Sequence, residues 1–322
     1  MTHTQTYTRL IARSLGVAAV AIGAQTALAQ DAPADCAVRI GSGPKGGVYE
    51  ILARDIQAAC GHVVSTCSVR SQGGLQNLMK LSASEVDVGF AQVDMLQTLS
   101  KDGDENVSDL QAVMPLHSNL LHILALRKGY TESGVLSTFK EPRIIRKFSD
   151  LKGLKVAAVG SSQLLGPAIN SRYGYGMEFV MIDTDDEAVE SLRKNKVAAI
   201  FTNGGWPMPN ISRFDSTSGL TLVGFDEAIK APYTTSRRSY QELGALNINF
   251  LAAPNLLITR PFKPGGDMGK KVTALQNCLI AKLDTLQEGR FHSAWKEIKQ
   301  PTNTMGIPRF NGEVGKAVAA KP

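Results

Sequence analysis

From Cys36 onward, short apolar runs alternate with stretches whose apolar positions recur every three or four residues. That alternation predicts β-α-β units on a mostly parallel sheet. Residues 38–40 read as a first strand, followed by a glycine-rich loop and a helix over about 47–59; 63–69 read as the second strand. After the loop 71–74, Leu75, Leu78, Met79 and Ser82 fall at helical spacing, 86–90 is a third strand, and Gln92-Val93-Asp94 opens another helix. Strands are expected at 111–115 and 120–126, ahead of a polar stretch at 128–150. A second series then begins: strand 155–159, helix 164–172 and strand 178–182. Thr184 and Glu187 form a capping box for a helix ending near Asn195. Strand 197–201 runs into Asn203-Gly204-Gly205-Trp206-Pro207, and strand 220–225 closes this half. A strand at 255–259 and helices over about 268–287 and 291–300 complete the series.

The two series have the same order, and Glu85-Val86-Asp87-Val88-Gly89-Phe90 parallels Lys196-Val197-Ala198-Ala199-Ile200-Phe201. This predicts two similar α/β lobes, with the chain crossing near 126 and returning near 252. Residues 36–125 and 252–322 then make lobe I, and 126–251 make lobe II. Ligands bind such sheets beyond the carboxyl ends of the strands, which directs attention to the loops 41–49, 71–77, 91–94, 160–163 and 203–207.

The N-terminus changes the setting. Arg9 and Arg13 precede an uncharged stretch, 14–29, that ends in Ala27-Leu28-Ala29. That is the pattern of a cleaved signal peptide over 1–29. The run is too short to span a bilayer, and Asp35 argues against lipid attachment at Cys36. Export to the periplasm without membrane insertion is therefore expected. In an oxidising compartment Cys36, Cys60, Cys67 and Cys278 suggest two disulfides, with three possible pairings. Their spacing matches no zinc signature, and no metal is expected.

Composition adds exclusions. A chain of 322 residues that is 43% hydrophobic and 20% charged is neither fibrous nor disordered. Its formal charge of +6 is spread without a Lys/Arg run, so nucleic acid is not an expected partner.

The candidate chemistry lies in donor-rich turns between strand and helix. Gly41-Ser42-Gly43-Pro44-Lys45-Gly46 fits G-x-G-x-x-G, but Arg70-Ser71-Gln72 stands where a dinucleotide site needs an acid. Gly46-Gly47-Val48 lacks the Lys-Ser/Thr of a phosphate loop. What remains is a loop that lets backbone approach a ligand and offers free N–H groups to an anion. Ser42, Gly43, Gly47 and Tyr49 are its candidate binding residues. Ser71-Gln72-Gly73-Gly74 with Asn77 repeats the arrangement, and Gln92 and Asp94 follow at the next strand end. In the second half, Ser161, Ser162 and Gln163 form a third such turn, with Leu164 where a nucleophile elbow needs glycine. Asn203, Gly204 and Trp206 complete the set; Trp206 fits either a ligand wall or buried packing. His117 and His122, five apart on a strand, face opposite sides and suit no metal. Asp183, Asp185, Asp186 and Glu187 at a helix start are explained by the helix dipole. No catalytic residue and no cofactor is expected.

Ile40-Gly41-Ser42-Gly43 with Gly46-Gly47-Val48-Tyr49 resembles the opening of the TAXI group of TRAP-transporter solute receptors. Gly73-Gly74-Leu75-Gln76-Asn77-Leu78 and Glu85 to Asp94 resemble its second signature, and Leu151-Lys152-Gly153-Leu154-Lys155-Val156-Ala157 the start of its second lobe. The resemblance implies a two-lobed periplasmic binding protein-like fold of type II with a double crossover hinge. It also implies capture of a small organic acid, amino-acid- or carboxylate-like with glutamate-like molecules among the family's ligands, by lobe closure, and delivery of this small organic anion to separate TRAP membrane permease subunits. The competing expectation is an exported α/β enzyme, an oxidoreductase or hydrolase using the loop 41–47.

Overall fold

The computed structural model describes residues 36–131, 141–263 and 265–310; the expected signal peptide lies outside them. β1 (Val38–Gly41) pairs in parallel with β2 (Thr66–Val69) and β3 (Val88–Gln92). β4 (Gln111–Leu126) is long, and β5 (Lys155–Val159) pairs in parallel with β6 (Glu178–Ile182) and β7 (Ala199–Gly204). β8 (Leu220–Leu222), β9 (Thr234–Tyr240) and the long β10 (Ala245–Thr259) follow. The path across the sheet is β2-β1-β3-β10-β4-β7-β5-β6, with β8 beside β4 and β9 beside β10. Each lobe is a three-strand parallel unit closed by one long antiparallel strand: β10 beside β3, β4 beside β7. The expected two-lobed type II architecture with a double crossover is present.

The inner lobe strands β1, β3, β5 and β7 are short, apolar and largely buried, as a sheet covered by helices on each side requires; every residue of β3 is buried, whereas the edge strand β6 is not. Helix Val48–Cys60 lays Leu52, Ala53, Ile56 and Ala59 on lobe I. A single apolar core, including Met95, Leu96, Leu165, Ile169, Phe201 and Leu256, covers one face of both lobes without a break. The opposite face carries two cores, one in each lobe.

Several expectations shift. The strands expected at 111–115 and 120–126 are one strand, because Leu116, His117 and Asn119 between them remain extended and buried. The first passage between lobes consequently lies at 116–119 rather than near 126: Pro115 pairs with Leu256 in the lobe I half, Leu120 with Gly204 in lobe II. β10 begins ten residues before its expected start, and β9, with the polar sequence TTSRRSY, carries no apolar alternation by which to read it. The final expected helix is only a 3-10 turn, Ser293–Glu297. There Trp295 is fully buried and its indole N–H donates to Asp55 Oδ2 at 2.8 Å.

The bridges pair Cys36 with Cys67 and Cys60 with Cys278. The second joins helix Val48–Cys60 to helix Asp267–Ala281 and returns the C-terminal segment to lobe I. Because it closes a separation of 218 residues, removing it through Cys60→Ala/Cys278→Ala should cost about 3–5 kcal/mol of stability. Urea denaturation of the double variant checks the magnitude, and non-reducing peptide mapping checks the pairing.

Candidate functional site

The carboxyl ends of the parallel strands in both lobes converge on one cleft of about 430 Å³, a size suited to a small metabolite. Lobe I supplies Lys45, Gly47, Val48 and Tyr49 from the first loop, and Gln72, Gly73 and Gly74 from the second. Lobe II supplies Gly160 and Ser161, then Asp183, Thr184 and Asp185, then Asn203, Gly204, Gly205 and Asn210; Asn119 and Thr202 also line it. Helices begin at Val48, Gly74 and Ser162, so three sets of helix-start N–H groups lie around this space. Gly73 holds φ at +112°, and a side chain there would reach within 4.0 Å of Ser161 Oγ in the other lobe. The two lobes thus face each other across a narrow gap.

Of the residues singled out from the sequence, Gly47, Tyr49, Gln72, Gly73, Gly74, Ser161, Asn203 and Gly204 line the cleft. The others do not line it and are engaged with neighbouring protein groups. Ser42 is fully buried and its hydroxyl donates to Val69 O at 3.0 Å. Ser71 Oγ donates to Ser42 O at 2.9 Å and accepts from Gly73 N at 3.0 Å. Asn77 spends both amide hydrogens on Ser42 O and Phe90 O, at 2.9 and 3.0 Å. It ties the first loop to β3 behind the cleft. At Gly43 any side chain would press on Tyr49 Cβ at 3.0 Å. Ser162 Oγ accepts from Asn203 Nδ2 at 2.7 Å, and Gln163 donates to Ile182 O at 3.0 Å. Trp206 adjoins the cleft through Gly205 but packs on the lobe II core, with the Arg238 guanidinium 5.3 Å above its ring.

Gln92 and Asp94 stand deeper, where helix Val93–Lys101 of lobe I packs on helix Ser162–Tyr173 of lobe II. Asp94 Oδ1 accepts from Met95 N at 2.9 Å, and the carboxyl is hydrogen-bonded to Tyr233. Burial lifts its pKa from 3.8 to about 6, against the lowering effect of Tyr233, the Met95 N–H and the more distant Arg172. Burial also pushes His117 down to about 4 and His122 down to about 3, so both rings are neutral near pH 7.

Asn119 also lines the cleft, although in the sequence it lies in what reads as a break between strands. Asp183 and Asp185, which the helix dipole explains at the level of sequence, both stand on the cleft wall.

Between about pH 4 and 6 the unfolded chain ionises Asp94 while the folded protein keeps it protonated, so this group lowers stability as pH rises through that window and leaves it lowered above. Asp94→Asn should therefore match the wild type near pH 4 and exceed it by up to ~3 kcal/mol near pH 7.5, the equivalent of a shift from 3.8 to about 6. His117 and His122 act in the opposite sense below pH 6.5, so the difference between variant and wild type across a pH series of urea melts is the quantity to measure.

Residues 40–261 match the model of the NMT1-like family. Among solved structures, an ancestral arginine-binding protein bound to arginine is similar at a TM-score of 0.48 and 14% identity, over 79% of this chain and 98% of that one. Tv2483 bound to L-arginine is similar at 0.49 and 12%, over 80% and 89% of the two chains. A TctC solute binding protein from Polaromonas is similar at 0.45 and 14%, over 80% and 86%.

Proposed function

The chain belongs to the NMT1-like family, and from that premise we propose that it is a periplasmic solute receptor that captures a small organic acid between its lobes. It then hands the solute to separate TRAP-type permease subunits, as the TAXI-like motifs imply. The observation that carries this reading is the meeting of donor-rich loops from both lobes on one cleft, with Gly73 opposite Ser161. Backbone N–H groups at three helix starts suit a carboxylate, and Lys45 adds a positive charge at the same cleft. Binding of this kind needs no covalent step. The two disulfides fit an oxidising compartment, and among the described residues no helix is long and apolar enough to cross a membrane.

Release requires opening. The core that covers one face of both lobes is continuous, so that side acts as the hinge and the lobes part on the side where the cores are separate. A ligand touching both lobes stabilises only the closed form, and its differential affinity drives the change in population.

Native mass spectrometry of the purified protein should find a retained small acid, and calorimetry should measure its affinity without turnover. Gly73→Val should weaken that binding at least ten-fold, equivalent to about 1.4 kcal/mol, because a branched side chain suits neither a φ of +112° nor the gap to Ser161. Small-angle scattering should give a smaller radius of gyration for loaded than for free protein; an unchanged radius at saturation would defeat the closing mechanism.

A further inference from the structure

Among the described residues one ion pair joins the two lobes. Arg238 stands on β9, which pairs with the lobe II half of β10, and its Nη2 donates to Glu297 Oε1 at 2.8 Å. Glu297 ends the 3-10 turn Ser293–Glu297, whose Ala294 and Trp295 belong to the lobe I core. Every other ion pair among those residues lies within a single lobe. The pair spans the face on which the lobes keep separate cores, the face along which they part.

Both partners are tied to working parts of the molecule. The second carboxylate oxygen of Glu297, Oε2, accepts from Ser118 N at 3.0 Å, on the passage where β4 leaves one lobe for the other. At the opposite end the Arg238 guanidinium lies 5.3 Å above the Trp206 ring, within reach of cation–π attraction. Trp206 follows Gly205, which lines the cleft and where a side chain would meet Val48 Cγ2 of lobe I at 2.6 Å. Two residues further along β9, Tyr240 holds the same segment by accepting from Met208 N at 2.9 Å, and Met208, Pro209 and Asn210 continue the cleft wall. A single carboxylate of lobe I therefore grips the crossing strand with one oxygen and, through Arg238, the cleft wall of lobe II with the other.

Parting the lobes on this face separates Arg238 from Glu297 before it disturbs either core. The two side chains are 29% and 32% exposed, so water replaces the lost contact. A pair this exposed shifts an equilibrium by about two- to five-fold. That is enough to raise the closed share of the free protein without making closure complete.

We propose that Arg238 and Glu297 form a salt-sensitive latch that biases the solute-free protein toward the closed arrangement and couples the crossing strand to the cleft wall. This rests on the reading of the lobes as parts that close. It goes beyond that reading by assigning the resting position of the free protein to two named charges.

The test is small-angle scattering on the full mature chain, exhaustively dialysed and shown by native mass spectrometry to carry no small molecule. Glu297→Gln can still accept from Ser118 N but lacks the charge, and Arg238→Gln removes the partner. At low salt each should give a larger radius of gyration than the wild type, with the open-to-closed ratio raised about two- to five-fold. The double variant should match the single ones, because one interaction is lost only once. Raising sodium chloride from about 20 mM to about 500 mM shortens the screening length from about 20 Å to about 4 Å. The wild-type radius should then grow toward that of the variants, whose own radii should stay constant. A merely structural role would leave the wild type indifferent to salt or make the two substitutions add, and either result overturns the proposal. So does a wild-type radius equal to that of the variants at low salt, a comparison that Glu297→Gln alone suffices to make. The solute-induced shrinkage expected above is read separately: it should persist in the variants, and its absence from every protein would remove capture by closure while leaving the latch to be judged on the free proteins.

Discussion

Every feature of the cleft depends on the antiparallel contact between β4 and β10. These two strands are long enough to belong to both lobes, and they lie side by side where the lobes meet. Because each also closes the parallel unit of one lobe, the two sheets join into one rather than meeting as separate bodies. The ladder between them is interrupted at Pro254, where the register shifts. Proline cannot donate to a ladder, and a bulge lets strands bend there. One of the two register shifts in this ladder thus lies where the strands pass between the lobes; the other, between Leu257 and Ile258, lies in lobe I.

The same passage is where the chain buries its polar side chains. His117, Asn119 and Asn255 sit on the two crossing strands, and Tyr49 and Gln92 reach them from lobe I. A buried amide or phenol left unpaired destabilises the fold, so such groups tend to be found in chains of mutual hydrogen bonds. Here Tyr49, Gln92, Asn119 and Asn255 find partners within the set. The loops that surround the cleft are held the same way: Asn77 and Ser71 both bond to Ser42 O. Ser42, Ser71 and Asn77, which look like ligand donors in the sequence, are occupied in bracing the loops, so the cleft is lined largely by glycine backbone and by Gln72, Ser161 and Asn203. A site made of backbone on braced loops is already shaped before anything binds, so less ordering accompanies binding.

The junction between the lobes also carries a buried carboxyl. Asp94 stands where a helix of lobe I packs on a helix of lobe II, within 3.5 Å of Gln92, which in turn accepts from Asn119. The cleft floor and the interlobe contact therefore share one connected set of polar groups.

Much of this was readable in the order of residues. The alternation of apolar runs with amphipathic stretches specifies β-α-β units, because side-chain period and backbone geometry are linked locally. The parallel between 85–90 and 196–201 correctly marks equivalent strands, β3 and β7, in the two lobes. Glycine loops at strand ends mark the cleft, since close backbone approach needs residues without side chains. What the order of residues could not convey is which partner each polar group meets. Asn77 and Asn119 are both buried asparagines, yet one donates both amide hydrogens to backbone carbonyls and the other donates to the side chains of Tyr49 and Gln92. The continuity of β4 through Leu116 to Asn119, the choice among three cysteine pairings and the position of Asp183 on the cleft wall are of the same kind. Each depends on contacts between residues far apart along the chain, and hydrogen-bond satisfaction and burial are properties of the assembled fold rather than of any local stretch.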